Sequence, residues 1–193
     1  MPRQTIQGGS RHSVRDATGP STVDLSWSAI GLHFLARLAD LDVGTRARGP
    51  GERLWELGDV LEIFAGSPGA EAYLELHVAP NGCTLQLGWP SVSILTAMRA
   101  RNERDLGAFV RTEPLFRAEP RLVPDGWEVE GVVFAQALES LNPAGCGHGT
   151  RWALSFSRYD YGPEAVAPLL SSTSPHPVAD FHRRSDWRTV VLG

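Results

Sequence analysis

Short segments that are apolar, or that alternate between apolar and polar residues, recur along the chain between clusters of Gly, Pro and Asp. This rhythm is typical of antiparallel sandwiches and barrels, in which each strand buries one face and soon turns. Pro80-Asn81-Gly82 separates two such segments and predicts a hairpin, because Asn-Gly readily adopts the positive φ of a tight turn. The segments that we predict as strands are Ala29–Leu38, Asp59–Phe64, Ala72–Val78, Thr84–Trp89, Gly126–Phe134, Trp152–Ser157 and Arg188–Leu192.

Helical patterns are few. Val92–Asp105 fits a helix and also fits a strand in its first residues, so both interpretations stay open. Ala135–Leu141 has apolar residues at helical spacing before Asn142-Pro143, which predicts one or two helical turns. The sequence therefore predicts an all-β fold, a two-sheet antiparallel β-sandwich with at most one or two short helices.

The chain is expected to form one domain preceded by a short arm. Residues 1–20 contain almost no large apolar side chain, which predicts a flexible N-terminal arm. Residues 21–193 show no internal repeat and no second apolar core, so we expect a single domain there.

Composition excludes several classes of protein. The chain of 193 residues has 18 basic and 22 acidic side chains and a net charge of −4, which argues against a nucleic-acid partner. No apolar run approaches the length of a membrane span, and no secretory leader is recognisable, so the expected location is the cytoplasm. Cys83 and Cys146 would remain thiols in that compartment.

Carboxylates on two neighbouring predicted strands form the candidate site. Alternation places Glu62 on the face opposite Leu61, and places Glu75 on the same face as His77. If the strands pair, Glu62 and Glu75 approach each other, with Arg158 or a cation between them. A salt-bridge cluster, a ligand-contacting cluster and a catalytic carboxylate pair all remain open.

Two stretches of the chain carry a recognisable order of motifs. The first is Leu54–Phe64 followed by Tyr73–Gly82, with a Trp and an Asp-x-x-Glu strand before a Tyr-x-Glu strand and an Asn-Gly turn. The second contains Gly126-Trp127-Glu128-Val129-Glu130, the strand Arg151–Asp160 and Asp180-Phe181-His182. Together the two stretches span nearly the whole chain, and in their motifs and order they resemble the family-9 carbohydrate-binding modules of the DOMON-like fold group.

This resemblance implies a sandwich that grips the end of a sugar chain between two tryptophans, often with structural calcium. Trp55 matches the first of these tryptophans, whereas the stretch Leu169–Pro175 has no second one. We therefore expect a non-catalytic domain that binds a small saccharide or glycan end weakly. The predicted ligand-binding residues are Trp55, Glu62, Glu75 and Arg158, and no catalytic residue is predicted.

Three further functions stay open. The residues predict no cofactor and no metal-ligand spacing. Some DOMON domains nevertheless bind haem through a Met and a His, and Met98 with His77 or His182 would be the pair here. The sequence is also compatible with a structural or protein-interaction domain and, less favoured, with an enzyme acting on glycans.

Overall fold

The structure is a computed structural model that describes residues 4–5, 14–16, 19–142, 145–163 and 166–192, and for those before residue 21 the backbone only. The two short strands 4–5 and 14–16 pair with the strand that begins at Gly19. The other residues of the expected N-terminal arm lie outside the described residues, and the arm stays a prediction.

Two antiparallel sheets pack face to face and confirm the predicted all-β sandwich. The strands are β1 (Gln4–Thr5), β2 (Val14–Asp16), β3 (Gly19–Ser28), β4 (Gly31–Ala39), β5 (Val60–Gly66), β6 (Tyr73–Val78), β7 (Thr84–Trp89), β8 (Phe116–Val123), β9 (Gly126–Phe134), β10 (Arg151–Asp160), β11 (Leu169–Ser172) and β12 (Arg188–Val191). The first sheet has the order β1-β3-β4-β9-β8, with β2 also paired to β3. The second has the order β11-β10-β5-β6-β7, with β12 also paired to β10.

Helices are short, as expected. The open segment after β7 is helical as α1 (Val92–Ala100), and Ser91 caps it by accepting the N–H of Ile94. The predicted turns after β9 form α2 (Ala135–Glu139). Residues 54–56 and 184–186 form single 3₁₀ turns. None of the helices in the described ranges is long and apolar enough to cross a membrane.

The second sheet is buried on both faces. Its inner side chains, such as Leu61, Ile63 and Leu76, join the core between the sheets. Its outer side chains, such as Phe64 and Tyr73, form a second apolar cluster under α1 and under the segment that includes Phe181 and Trp187. This explains why β5 and β6 are buried at every position, although their sequences alternate.

The predicted hairpin at Pro80-Asn81-Gly82 is confirmed. β6 and β7 pair as neighbours, and Gly82 has φ +85°, a value at which a residue with a side chain is strained. The Asn81 side chain accepts the N–H of Cys83 and donates to the carbonyl of Ala47. The hairpin therefore also holds the loop of residues 44–53, the arginine-containing loop before β5 with Arg46, Arg48 and Arg53, against the sheet.

Candidate functional site

A cavity of about 410 Å³ lies on the outer face of the second sheet. Side chains of β5, β6, β7 and β10 form its floor, while the segments 53–55, 95–106 and 179–182 form its walls. The three wall segments are far apart in the sequence, so only the folded chain assembles the cavity. Its size lies within the range of about 300–1,000 Å³ that is typical of small-molecule sites.

Two carboxylates and an imidazole meet on the floor. Glu62 on β5 pairs in register with His77 on β6, and Glu75 lies two residues before His77 on the same face of β6. His77 Nε2 lies 2.7 Å from Glu75 Oε1 and 3.6 Å from Glu62 Oε1. The sequence predicted that Glu62 and Glu75 approach each other if their strands pair, and β5 and β6 do pair. One ligand-type atom from each of the three side chains lies within 4.8 Å of the others.

The two carboxylates differ in their hydrogen bonds. Both oxygens of Glu75 are engaged, one by His77 and the other by the Trp89 indole N–H at 2.5 Å. Glu62 has no hydrogen bond to any described residue, although its side chain is only 4% exposed. Since Glu62 lines the cavity, its carboxyl group is directed to the place where a ligand would lie.

Burial and neighbouring charges separate the ionisation of these groups. Burial raises the pKa of Glu62 to about 8, the charge of Glu75 adds to this increase, and His77 opposes it. Burial also disfavours charge on Glu75, but His182, His77 and the Trp89 N–H outweigh it and lower the pKa of Glu75. Against the effect of burial, the charges of Glu62 and Glu75 also raise the pKa of His77. Glu75 is therefore the carboxylate that stays ionised near pH 7, while Glu62 and His77 titrate as a coupled pair, and Glu62 can donate a hydrogen bond when it holds the proton.

Aromatic rings surround the carboxylates. Trp55 is half-buried in the 3₁₀ turn after the arginine-containing loop, with its ring edge-on to His77 at 5.3 Å and the Arg53 guanidinium 4.9 Å from the ring centre. Trp89 also lines the cavity, but it is 2% exposed and stacks on Phe109 at 4.5 Å. Trp55 is therefore the tryptophan with surface available to a ligand in this cavity.

The structure corrects the expected position of Arg158. On β10 it alternates with Tyr159 and points to the inner face, away from Glu62 and Glu75. Its guanidinium forms ion pairs with Asp40 at 2.8 Å and Asp160 at 3.0 Å. Because successive side chains of a strand point to opposite faces, Arg158 lies on the face opposite to the cavity. The expected contact between Arg158 and the two glutamates is therefore ruled out.

The acidic cluster around Arg158 does not fit the calcium that the family resemblance implied. Asp40, Asp59 and Asp160 bring oxygens within 4.8 Å of one another, but Arg158 already places its positive charge between Asp40 and Asp160. Each oxygen of Asp59 accepts a backbone N–H, at 2.6 and 2.7 Å, and burial raises the pKa of this carboxyl to about 6. These oxygens are satisfied by protein donors, whereas calcium requires six to eight oxygen ligands.

Sequence reasoning missed several residues of the cavity. Tyr159 lines the floor, and strand alternation could have found it, because Ser157 on the same face pairs with Glu62. His182 reaches the cavity from a distant loop, where its Nδ1 is 2.8 Å from the Tyr73 hydroxyl. Only the resemblance singled out His182, and no local pattern places it beside Glu75. Met98 and His182 both line the cavity, whereas His77 does not. The sequence predicted no cofactor, and haem binding by Met98 with one of these histidines remains the disfavoured alternative.

Sequence comparison identifies no relative, since no family model and no curated protein matches the chain. Structure comparison does find similar proteins. A candidate carbohydrate-binding protein from Bacteroides uniformis matches with a TM-score of 0.68 and 18% identity, covering 90% of this chain and 78% of its own.

Two structures of a family-9 carbohydrate-binding module from Caldicellulosiruptor kristjanssonii also match. The complex with cellotriose has a TM-score of 0.63 and 16% identity, covering 97% of this chain and 84% of the module. The complex with glucose has a TM-score of 0.60 and 15% identity, covering 90% and 76%. The predicted similarity to family-9 modules is thus confirmed for the fold, while the wider DOMON-like grouping stays a prediction.

Proposed function

We propose that this chain is a non-catalytic domain that binds a small saccharide or the end of a glycan in the cavity of the second sheet. Two of the structurally similar chains are carbohydrate-binding modules in complex with cellotriose and glucose. A shared fold does not by itself transfer a ligand, so the proposal depends on the cavity of this chain.

The Glu62 carboxyl group is the observation that carries the proposal. It is almost fully buried, lines the cavity and has no hydrogen bond to the described residues. Its oxygens face the cavity, where a ligand hydroxyl can bond to them. Glu62 accepts from a hydroxyl in either protonation state, and burial, which raises its pKa, also lets it donate to a sugar oxygen when it is protonated.

The aromatic and charged neighbours of Glu62 fit the same kind of ligand. The half-buried Trp55 ring lines the cavity and would offer the part of its flat apolar surface that Arg53 does not cover to the C–H face of a sugar. Arg53 and Arg99 add donors at the wall of the cavity. Without full desolvation of the sugar hydroxyls, we expect micromolar to millimolar dissociation constants, about −4 to −8 kcal/mol.

Glu62→Leu should weaken saccharide binding about 10-fold or more, because leucine keeps the volume of the side chain but removes both hydrogen-bonding oxygens. Glutamine is the wrong substitution for this test, since its amide still donates and accepts like the protonated acid. Isothermal titration of the full chain with glucose, cellotriose and other short saccharides, in buffer with EDTA, measures the effect.

Glu119→Gln is the matched control, because Glu119 is exposed on β8 of the other sheet and should leave saccharide affinity unchanged. Saccharide binding that Glu62→Leu leaves intact would place the ligand outside this cavity. No heat and no melting shift with any saccharide of the panel would refute the proposed function.

A further inference from the structure

We infer that Glu62, Glu75 and His77 form a binding site for a divalent transition-metal ion on the floor of the cavity. This inference goes beyond saccharide binding and does not depend on it. Three potential metal-ligand atoms, one from each side chain, lie within 4.8 Å of one another. Because all three side chains are at most 4% exposed, they hold these atoms in a site largely removed from water.

The environment of Glu62, whose side chain is 4% exposed and lines the cavity without a hydrogen bond to any described residue, is a second indication. A structural cluster would use this group in a hydrogen bond, as the buried Glu75 is used. Instead, Glu62 has no hydrogen-bond partner in the described part of the chain and lies 3.6 Å from the nitrogen that Glu75 binds. A metal ion between them would engage both carboxylates and the imidazole at once.

The distances require only a small rearrangement. Zinc binds imidazole nitrogen and carboxylate oxygen at about 2.0–2.2 Å, which places tetrahedral ligand atoms about 3.3 Å apart. The separation of 3.6 Å between His77 Nε2 and Glu62 Oε1 is already close to this value. The hydrogen bond of 2.7 Å between His77 Nε2 and Glu75 has to open by about half an ångström. Zinc would also displace the proton of His77 Nε2, which moves to Nδ1 or to water, and any proton on Glu62, which leaves to water.

The ligand set favours a transition metal over calcium or magnesium. Imidazole together with carboxylate suits ions such as zinc, whereas calcium and magnesium prefer oxygen ligands alone. Glu62 and Glu75 line the cavity and His77 lies buried behind them, so a fourth coordination position would face the cavity, as in zinc sites that keep an open position. Water or a hydroxyl of a ligand would complete the coordination there.

The neighbours of the ligand side chains indicate that the site binds a metal ion with moderate affinity. The Trp89 N–H already orients Glu75, as metal-ligating carboxylates are usually oriented by a hydrogen bond. His77 Nδ1 has no hydrogen-bond partner in the described part of the chain, and packing against Trp55 holds the ring instead. Loss of such a partner typically costs 10–100-fold in metal affinity, so we expect a micromolar rather than a nanomolar dissociation constant.

Titration of the EDTA-treated and desalted full chain with zinc chloride tests the inference. We expect one zinc ion per chain with micromolar affinity, and no comparable binding of calcium or magnesium. Glu62→Gln should weaken this binding at least 10-fold, since an amide is a much poorer metal ligand than a carboxylate. Cobalt titration gives a second measurement, because visible bands of a tetrahedral cobalt complex report mixed nitrogen and oxygen coordination.

Glu119→Gln should bind zinc like the unmodified chain, which shows that the loss is local to the cluster. Thermal unfolding shows whether Glu62→Gln is folded, as expected for a residue that gives up no hydrogen bond. Zinc binding that Glu62→Gln leaves unchanged would assign the ion to another site, and absence of zinc binding to the unmodified chain would overturn the inference. Saccharide titrations in EDTA are unaffected by either result, so the two proposals can fail separately.

Discussion

Arg158→Met is expected to lower the free energy of unfolding by about 3–5 kcal/mol, a large effect for a single substitution. The side chain of Arg158 is 2% exposed, and its guanidinium pairs with Asp40 and Asp160. Methionine preserves much of the packing but leaves both carboxylates buried without their cation. Urea unfolding followed by tryptophan fluorescence measures the change.

The position of Arg158 explains the size of this effect. Its guanidinium also donates to the carbonyl of Ala39 at 2.6 Å, at the end of β4 in the opposite sheet. The interaction therefore joins the two sheets across the sandwich, where water cannot replace the lost partner.

Arg37→Met is the matched control. Arg37 pairs with Asp24 at 2.6 Å, but both side chains are more than 40% exposed, so we expect a loss below about 1 kcal/mol. Arg158→Lys separates the structural role from a ligand role, because it keeps the charge and shifts only the geometry. Arg158→Lys should reduce stability without reducing saccharide affinity. Reduced saccharide affinity at unchanged stability would instead show that Arg158 takes part in ligand binding.

Trp55→Ala is expected to weaken saccharide binding by about 10–100-fold, equal to about 1.4–2.8 kcal/mol. Trp55 is the tryptophan of the cavity that is only half-buried, and alanine removes the flat surface on which a sugar ring would stack. Calorimetric titration with the saccharide that binds the unmodified chain most tightly measures the loss.

Two further variants distinguish loss of stacking on Trp55 from general destabilisation of the domain. Trp55→Phe keeps an aromatic face and should recover part of the affinity, which a purely steric role of the side chain would not produce. Trp27→Ala removes another half-buried indole, on β3 of the first sheet, and should leave the affinity unchanged. Equal losses in Trp55→Ala and Trp27→Ala would show that general destabilisation, rather than stacking, causes the effect.

The residues of the candidate site and of α1 show which features of the structure could be predicted from local sequence pattern. Alternation correctly assigned Glu62, Glu75 and His77 to one face, because successive side chains of a strand must point to opposite sides. The same rule, applied to β10, would have excluded Arg158 and identified Tyr159, but the expected cluster was assembled from charge complementarity instead. The segment around α1 stayed ambiguous because its residues fit both periods, and capping by Ser91 and burial of Met98 settle it as a helix.

The order of apolar, polar and turn-forming residues by itself determined the two-layer β architecture, the hairpin at Gly82 and the grouping of two acidic residues on one sheet face. Only the tertiary structure decided that the segments around Trp55, Met98 and His182 surround this face and form a cavity. The physical reason is the separation along the chain of the residues that interact. Strand alternation and turn geometry depend on neighbouring residues, whereas the walls of the cavity depend on packing between segments separated by tens of residues.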